Sequence, residues 1–314
     1  MLLIYFMDII DKTPLLSICI PTNGIVSYVL PVLDSIYSQV KGNDLELFEV
    51  VIVDNGKGND LEIKIKEYQY PNLRYEKTNA EGFLNQICCF NLAVGHFLKF
   101  QNHRAKFLNG TLDYLLNIVR KNLGDKPVIY LSNGVLGIRG NMVDFNSFDE
   151  FVRTLSYWSS WSSGVTIWRD DFVLLRNVQY NMMFPHTSLL FADLGNKKYV
   201  IDDKKLLCLQ DDIGKGGYNL YKTFAVDYLD ILMDLYCQDR ISKKTFLLVK
   251  KDLWNFFVEF YFRLKLKKEN YSFDLTGIKN NFLKYYSLSS YWGMVSKAWG
   301  YFLFDSLKKM MYKK

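Results

Sequence analysis

The chain has 314 residues, 49% hydrophobic and 23% charged, with a formal net charge of +6. That balance describes a soluble globular protein with one large domain and an appendage, and it excludes disordered, collagenous and coiled-coil classes. The five cysteines (Cys19, Cys88, Cys89, Cys208, Cys237) form an odd set without Cys-x-x-Cys or paired Cys/His spacing. They offer neither a disulfide framework nor a structural zinc site, and they fit a cytosolic chain.

In chain order, Met1-Leu-Leu-Ile-Tyr-Phe-Met-Asp8 meets an acid too early for a signal peptide or a membrane span and reads as a first strand. Short β-branched runs then alternate with helical patterns. Strands are expected at 15–20, 48–53, 73–75, 96–101 and 128–131. Helices are expected at 28–39, 61–68, 83–94 and 112–121. This alternation predicts an α/β, doubly wound, mostly parallel sheet, whose ligands bind beyond the carboxyl ends of its strands. The loops to inspect are therefore Pro21-Thr-Asn-Gly24, Asp54-Asn-Gly-Lys-Gly-Asn-Asp60 and Asn102-His-Arg104.

Residues 134–212 are less regular, with a strand expected at 164–168, and read as the same domain supplying a second wall of the pocket. The glycines of Gly214-Lys-Gly-Gly217 mark a boundary, giving a domain over 1–215 (halves about 1–132 and 133–215) and a helical region over 216–314. Helices are expected there at 224–238, 243–266 and 285–309, with Ser242 as an N-cap. Residues 216–314 hold 17 Lys/Arg against 9 Asp/Glu, net +8, while the first 215 hold 22 against 24. A basic, aromatic-rich tail of this kind suits an anionic membrane surface. An oligomer interface built from the same aromatics competes. Nucleic-acid binding ranks behind both, because no RNA-recognition signature is present.

Four motifs in order, Leu16-Ser-Ile-Cys-Ile-Pro-Thr22, Leu33-Asp-Ser-Ile-Tyr-Ser-Gln39, Phe48-Glu-Val-Val-Ile-Val-Asp-Asn-Gly56 and Asn79-Ala-Glu-Gly82 with Asn85 and Asn91 behind it, resemble the nucleotide-sugar half of glycosyltransferase family 2. The resemblance covers about residues 15–112. It implies a GT-A fold and inverting transfer of a sugar from a nucleotide diphosphate to an acceptor hydroxyl. In the bacterial O-antigen and capsule type, the acceptor is a surface glycan or a lipid-linked one. The enzyme would then be cytoplasmic and peripheral on the inner face of the plasma membrane. Pro21, Thr22 and Asn23 would begin the base and ribose pocket. Asp54 would accept from the base or ribose, although Asp-Asn-Gly is also a turn signal. Asn79 and Gly82 would lie where the backbone passes the nucleotide.

The family's Asp-x-Asp metal motif is absent. In register the chain reads Phe100-Gln-Asn-His-Arg-Ala-Lys106, so Asn102, His103 and Arg104 replace the acids. One amide and one imidazole make a poor magnesium or manganese site. The expectation is therefore transfer without a required cofactor, with Arg104 and His103 on the diphosphate, helped by Lys99 and Lys106 if they face it. A catalytically silent sugar-nucleotide or glycan-binding protein is the alternative. The base is sought in Phe184-Pro-His-Thr-Ser-Leu-Leu-Phe-Ala-Asp193: His186 first, with Asp193, Asp170 and Asp171 as rivals. Trp158-Ser-Ser-Trp-Ser-Ser-Gly164 reads either as an acceptor floor or as core.

Overall fold

A computed structural model describes residues 13–42, 44–175, 178–195, 197–210 and 216–311. The strand expected within residues 1–8 and the Gly214-Lys215 half of the boundary motif lie outside the described residues. The elements run β1 (Leu16–Thr22), α1 (Val26–Tyr37), β2 (Phe48–Asp54), α2 (Asp60–Ile65), β3 (Leu73–Lys77), α3 (Asn85–Leu92), β4 (Phe97–Phe100), β5 (Ala105–Phe107), α4 (Thr111–Asn122), β6 (Val128–Leu131) and β7 (Met142–Phe145). After α5 (Phe148–Leu155) come β8 (Thr166–Trp168), α6 (Arg169–Leu174), α7 (Pro185–Leu190), β9 (Tyr199–Asp202) and β10 (Leu207–Leu209). The C-terminal part holds β11 (Gly216–Asn219), α8 (Leu220–Lys222), α9 (Tyr228–Cys237), α10 (Lys243–Tyr261), β12 (Ser272–Asp274), α11 (Ile278–Phe282) and α12 (Leu288–Met311).

The described residues fall into two compact units. The first takes in those of 1–146 and 161–210, and the second those of 147–160 and 211–314. The segment 147–160, read from sequence as part of the first domain, thus belongs with the C-terminal residues.

In the first unit a five-stranded sheet has the order β3-β2-β1-β4-β8. β3, β2, β1 and β4 are parallel, and only β8 runs against its neighbour. Every residue of β2 is buried, and so is nearly all of β1. That follows from their Ile- and Val-rich middles, since a parallel strand covered on both faces turns neither side to solvent. α1 buries Val29, Val32, Leu33, Ile36 and Tyr37, and α4 buries Leu112, Leu115, Leu116 and Val119; both joint the same core with a helical three-four period. Cys89 is buried on α3 with its thiol toward the Val51 carbonyl, an inert packing role. A three-stranded sheet, β6-β9-β7, and a β5-β10 pair complete the unit.

The second unit is mainly helical. Phe257 on α10 packs against Tyr221, Phe282 and Tyr286. Ser242 caps α10 by accepting from Thr245 N–H at 3.2 Å. Two π-type stretches, 223–227 and 262–266, carry the helices on to the lengths that the periodicity predicts. No helix among the described residues is long and apolar enough to cross a membrane.

Candidate functional site

The site is assembled at the carboxyl edge of β1, β2 and β4, because parallel strands in register deliver the loops after Thr22, Asp54 and Gln101 to one place. Asp54 ends β2 fully buried. Its Oδ1 accepts from Gly56 N–H at 2.7 Å, and its Oδ2 accepts from the Tyr75 hydroxyl at 2.8 Å and Lys77 Nζ at 3.0 Å. Burial, and after it the hydrogen bond to Asp54, raises the Tyr75 phenol above its ordinary range. Both carboxylate oxygens are thus engaged within the chain. The turn function of Asp-Asn-Gly is present, and the carboxylate is no open acceptor.

Gly56 has no room for a side chain: a Cβ there would lie 2.2 Å from the Asn23 carbonyl oxygen. The loops after β1 and β2 therefore touch through backbone. Asn55 reaches across the gap, donating to the carbonyls of Ala80 at 3.0 Å and Gly82 at 2.9 Å. Asn85, at the start of α3, donates to Thr22 O at 3.3 Å and Asn55 Oδ1 at 3.2 Å. Gly82 has a left-handed φ of +53° with open space beside it, and Asn79 and Asn23 are exposed. Pro21, half-buried, lies within β1 beside Thr22.

The loop replacing the acidic motif folds back on itself. Asn102 Oδ1 accepts from Arg104 N–H at 2.8 Å. Thr22 Oγ1 and His103 Nδ1 are 2.7 Å apart, and Gly24 N–H donates to the same hydroxyl at 3.2 Å. The Arg104 guanidinium lies over the Tyr28 ring, 3.8 Å from its centroid, and the His103 ring leans on the same tyrosine at 5.6 Å. Burial, then the neighbouring Arg104 charge, pushes His103 down to about 4, so the imidazole is neutral at pH 7. Arg104 Nη1 is buried and, among the described residues, has no hydrogen-bond partner. Tyr28 sits in the first turn of α1, which has no side-chain cap and no acid. That helix start adds partial positive charge to the same place.

Lys99 does not join this cluster. It is fully buried beneath the loop, where its Nζ donates to Phe100 O at 2.8 Å, Gln101 Oε1 at 2.9 Å and Ser163 O at 3.3 Å; burial lowers it to about 7. Gln101 Nε2 in turn donates to Ala105 O, and Ser163 Oγ accepts from Asn102 N–H at 3.0 Å. Ser163 thus carries its end of the 158–164 segment to the loop. Lys106 stands on β5, opposite Cys208 of β10.

The expected bases fall in different places. His186 is buried, with Nδ1 2.9 Å from Gln86 Oε1 on α3, next in sequence to Asn85. Asp193 is exposed and closes its own turn by accepting from Gly195 N–H at 3.0 Å. Asp170 and Asp171 are at the wrong edge. β8 runs antiparallel, Trp168 standing opposite Phe97, so the residues after it lie where β4 begins. Asp170 pairs there with Lys126 at 2.5 Å and Asp171 with Lys197 at 2.9 Å. Sequence reasoning missed Tyr28, Tyr75, Lys77 and Gln86 as site residues. The two-residue alternation of Tyr75 and Lys77 along β3 was a usable signal; nothing local marked Tyr28.

As for metals, the donors at the loop are an amide, an imidazole and a guanidinium, and Asp54 is already held by three protein donors. This set does not fit magnesium or manganese. Among the described residues no group of three or more His, Cys, Asp or Glu is gathered as a metal site.

No family model and no curated protein matches the sequence. Solved structures do match in shape. A crystal structure of S. aureus TarS 1–349 in complex with UDP-GlcNAc is 17% identical, with a TM-score of 0.50 over 70% of this chain and 66% of that one. A second crystal structure, of S. aureus TarS 1–349, is also 17% identical, at 0.48 over 70% and 65%. The chain thus spans just under two thirds of those structures. At this identity the likeness speaks for the fold, an α/β GT-A-like architecture with a parallel sheet and C-terminal helices.

Proposed function

We propose that this chain is an inverting glycosyltransferase that moves a sugar from a nucleoside diphosphate to a hydroxyl of a glycan or lipid-linked acceptor, in bacterial surface-polysaccharide assembly. The observation that carries the reading is the buried, unpartnered Nη1 of Arg104, stacked on Tyr28 at the carboxyl edge of the sheet beside an uncapped helix start. A permanent planar cation with an unused donor suits a diphosphate oxygen and needs no counter-acid to stay charged. The UDP-GlcNAc complex of a protein with this fold is consistent with such a ligand.

In the proposed reaction the acceptor hydroxyl oxygen attacks the anomeric carbon. Its proton passes to a base, the bond from sugar to diphosphate breaks, and the electron pair leaves on the diphosphate. Arg104 meets that charge without a metal, and neutral His103 adds a hydrogen bond. Asp54 contributes by holding Gly56, Tyr75 and Lys77 around the nucleoside end, with Pro21, Thr22, Asn23, Asn79, Gly82 and Asn102 as its borders. The base we favour is His186. Its Nδ1 lies 2.9 Å from Gln86 Oε1, a contact that orients the ring. Asp193 is the second choice, since it is exposed and its oxygen serves a turn. The location we assign is the inner face of the plasma membrane.

A protein that binds without turning over would use the same Arg104 pocket, and the loop's lack of any carboxylate favours that second reading. Calorimetry with UDP and GDP, in excess EDTA and again with manganese, followed by transfer assays, tests both. The transferase reading requires binding and turnover in EDTA. Binding without donor hydrolysis or transfer favours the silent form, and turnover only with manganese removes Arg104 from its role.

A further inference from the structure

The 24-residue helix α12 is two-sided in an unusual sense. On one side Met294, Val295 and Ala298 are buried in the second unit. On the other, Leu288, Trp292, Trp299, Leu303, Phe304 and Leu307 are 47–71% exposed. At 3.6 residues per turn these six fall within an arc of roughly 160° and run for about 29 Å along the helix. Ser289, Gly293, Ser296 and Gly300 share that arc and are small; scattered apolar residues at a surface need no explanation, but six large ones along one arc do.

The charges on the helix are mostly positive. α12 carries Lys297, Lys308 and Lys309 against a single acid, Asp305, and that acid is paired with Lys267 at 3.4 Å and Lys309 at 3.0 Å. Lys297 has a neutral partner, donating to Asn255 Oδ1 at 3.2 Å, and lies over the Trp254 and Tyr301 rings. Lys279 stands over Trp292, 5.9 Å from its centroid. On α10, Lys250 and Lys251 line a cavity of about 250 Å³ with Trp254 and Ser290. Two copies meeting through this band would bring lysines against lysines. A sheet of lipid phosphates would meet them with the opposite charge, and tryptophan suits the depth where headgroups give way to acyl chains.

We propose that α12 lies flat in the interface of an anionic phospholipid bilayer, with the Leu288–Leu307 band inserted and Lys297 and Lys308 on headgroup phosphates. The inference goes beyond the transfer reaction and does not depend on it, because neither nucleotide nor the first unit takes part.

The test uses the full chain and vesicles of phosphatidylcholine with and without phosphatidylglycerol, read by co-sedimentation and by quenching of tryptophan with brominated lipid. A Leu303→Ser/Phe304→Ser/Leu307→Ser variant changes only exposed side chains and keeps both tryptophans as reporters; circular dichroism and UDP calorimetry check that it is folded. The expected result is binding that prefers the anionic vesicles by about tenfold at low salt and weakens as salt rises, and that falls about tenfold or more in the variant. Equal vesicle binding by variant and parent overturns the proposal, as does absence of binding by the parent. So does a solution dimer, seen by light scattering, that the variant dissolves while vesicles bind neither. Nucleotide affinity unchanged beside lost vesicle binding separates failure here from failure of the transferase reading.

Discussion

The two edges of the parallel sheet both bury ionised groups, and they treat them in opposite ways. At the edge where β1 and β2 begin, Glu49 is buried and fully answered. It accepts from Ser17 Oγ at 2.6 Å, Val94 N–H at 2.5 Å, Gly95 N–H at 3.2 Å and Arg74 Nη1 at 3.2 Å. Gly95 is required there, since a Cβ would lie 2.6 Å from Ser17 Oγ. At the carboxyl edge, Asp54 is answered as completely, but Arg104 Nη1, in the loop after β4, is not met by any group among the described residues. A buried donor without a partner costs about 1–3 kcal/mol. One edge spends its polar groups on joining strands to helices, and the other leaves one buried guanidinium nitrogen without a hydrogen-bond partner among the described residues.

The comparison breaks most easily at Arg104. Arg104→Met keeps the stack on Tyr28 apolar and removes the charge; UDP or GDP affinity, measured by calorimetry in EDTA, is expected to fall about 30- to 100-fold, the worth of a charge-assisted bond of about 2–3 kcal/mol. Urea unfolding should show unchanged or slightly higher stability, because the orphaned donor is gone. Unchanged affinity would place the anion elsewhere. Glu49→Gln sharpens the contrast from the other side. It leaves the Arg74 pairing and two backbone donors poorly met, so unfolding in urea should show a loss of about 2 kcal/mol, discounted because Arg74 is half exposed, while nucleotide affinity stays within twofold.

Gly56→Ala tests the carboxyl edge by shape rather than charge. The added methyl must displace the Asn23 backbone, whose carbonyl oxygen lies 2.2 Å from its position. A loss of about 1–3 kcal/mol in stability is expected, with weaker nucleotide binding because the loops after β1 and β2 move apart. Loss of stability with affinity intact would mean that the ligand does not touch this junction.

Much of this sheet was legible beforehand, for a physical reason. Parallel strands buried on both faces are mostly apolar, so 48–53 and 15–20 declared themselves, and the order of motifs pointed to the carboxyl edge of the sheet. Strand ends were less visible: β3 continues past Tyr75 to Lys77 because pairing with β2 carries it on, and those two side chains are what close around Asp54. Arg104 was singled out by register alone. Its stack on Tyr28 was not, since a helix's first turn beside a loop after a distant strand is a tertiary fact. The edge occupied by Asp170 and Asp171 followed from β8 running antiparallel, which the short run at 164–168 did not encode. The packing of 147–160 with the C-terminal helices likewise rests on long-range bonds, such as Ser156 to Asp252 at 2.7 Å and Asp149 to Ser242 at 2.7 Å.

The smallest effect expected is also the most specific to the open edge. His103 is held down to about 4 in the folded chain against about 6.5 when unfolded, by burial and by Arg104. As pH falls from 6.5 toward 4 the unfolded chain gains a proton that the folded chain refuses, so stability present above pH 6.5 is progressively lost. Because the ring keeps some access to solvent, that contribution is about 1–2 kcal/mol, and His103→Gln should flatten the stability curve over the same window. A bound diphosphate reverses the electrostatics: it offsets the Arg104 charge and favours imidazolium, so His103 moves up. Binding at mildly acid pH should therefore take up protons, seen as a binding enthalpy that depends on buffer ionisation heat, and His103→Gln should abolish the dependence. A buffer-independent enthalpy in the unmutated chain would mean that the phosphates do not come near His103, and Arg104 would then need a different anion.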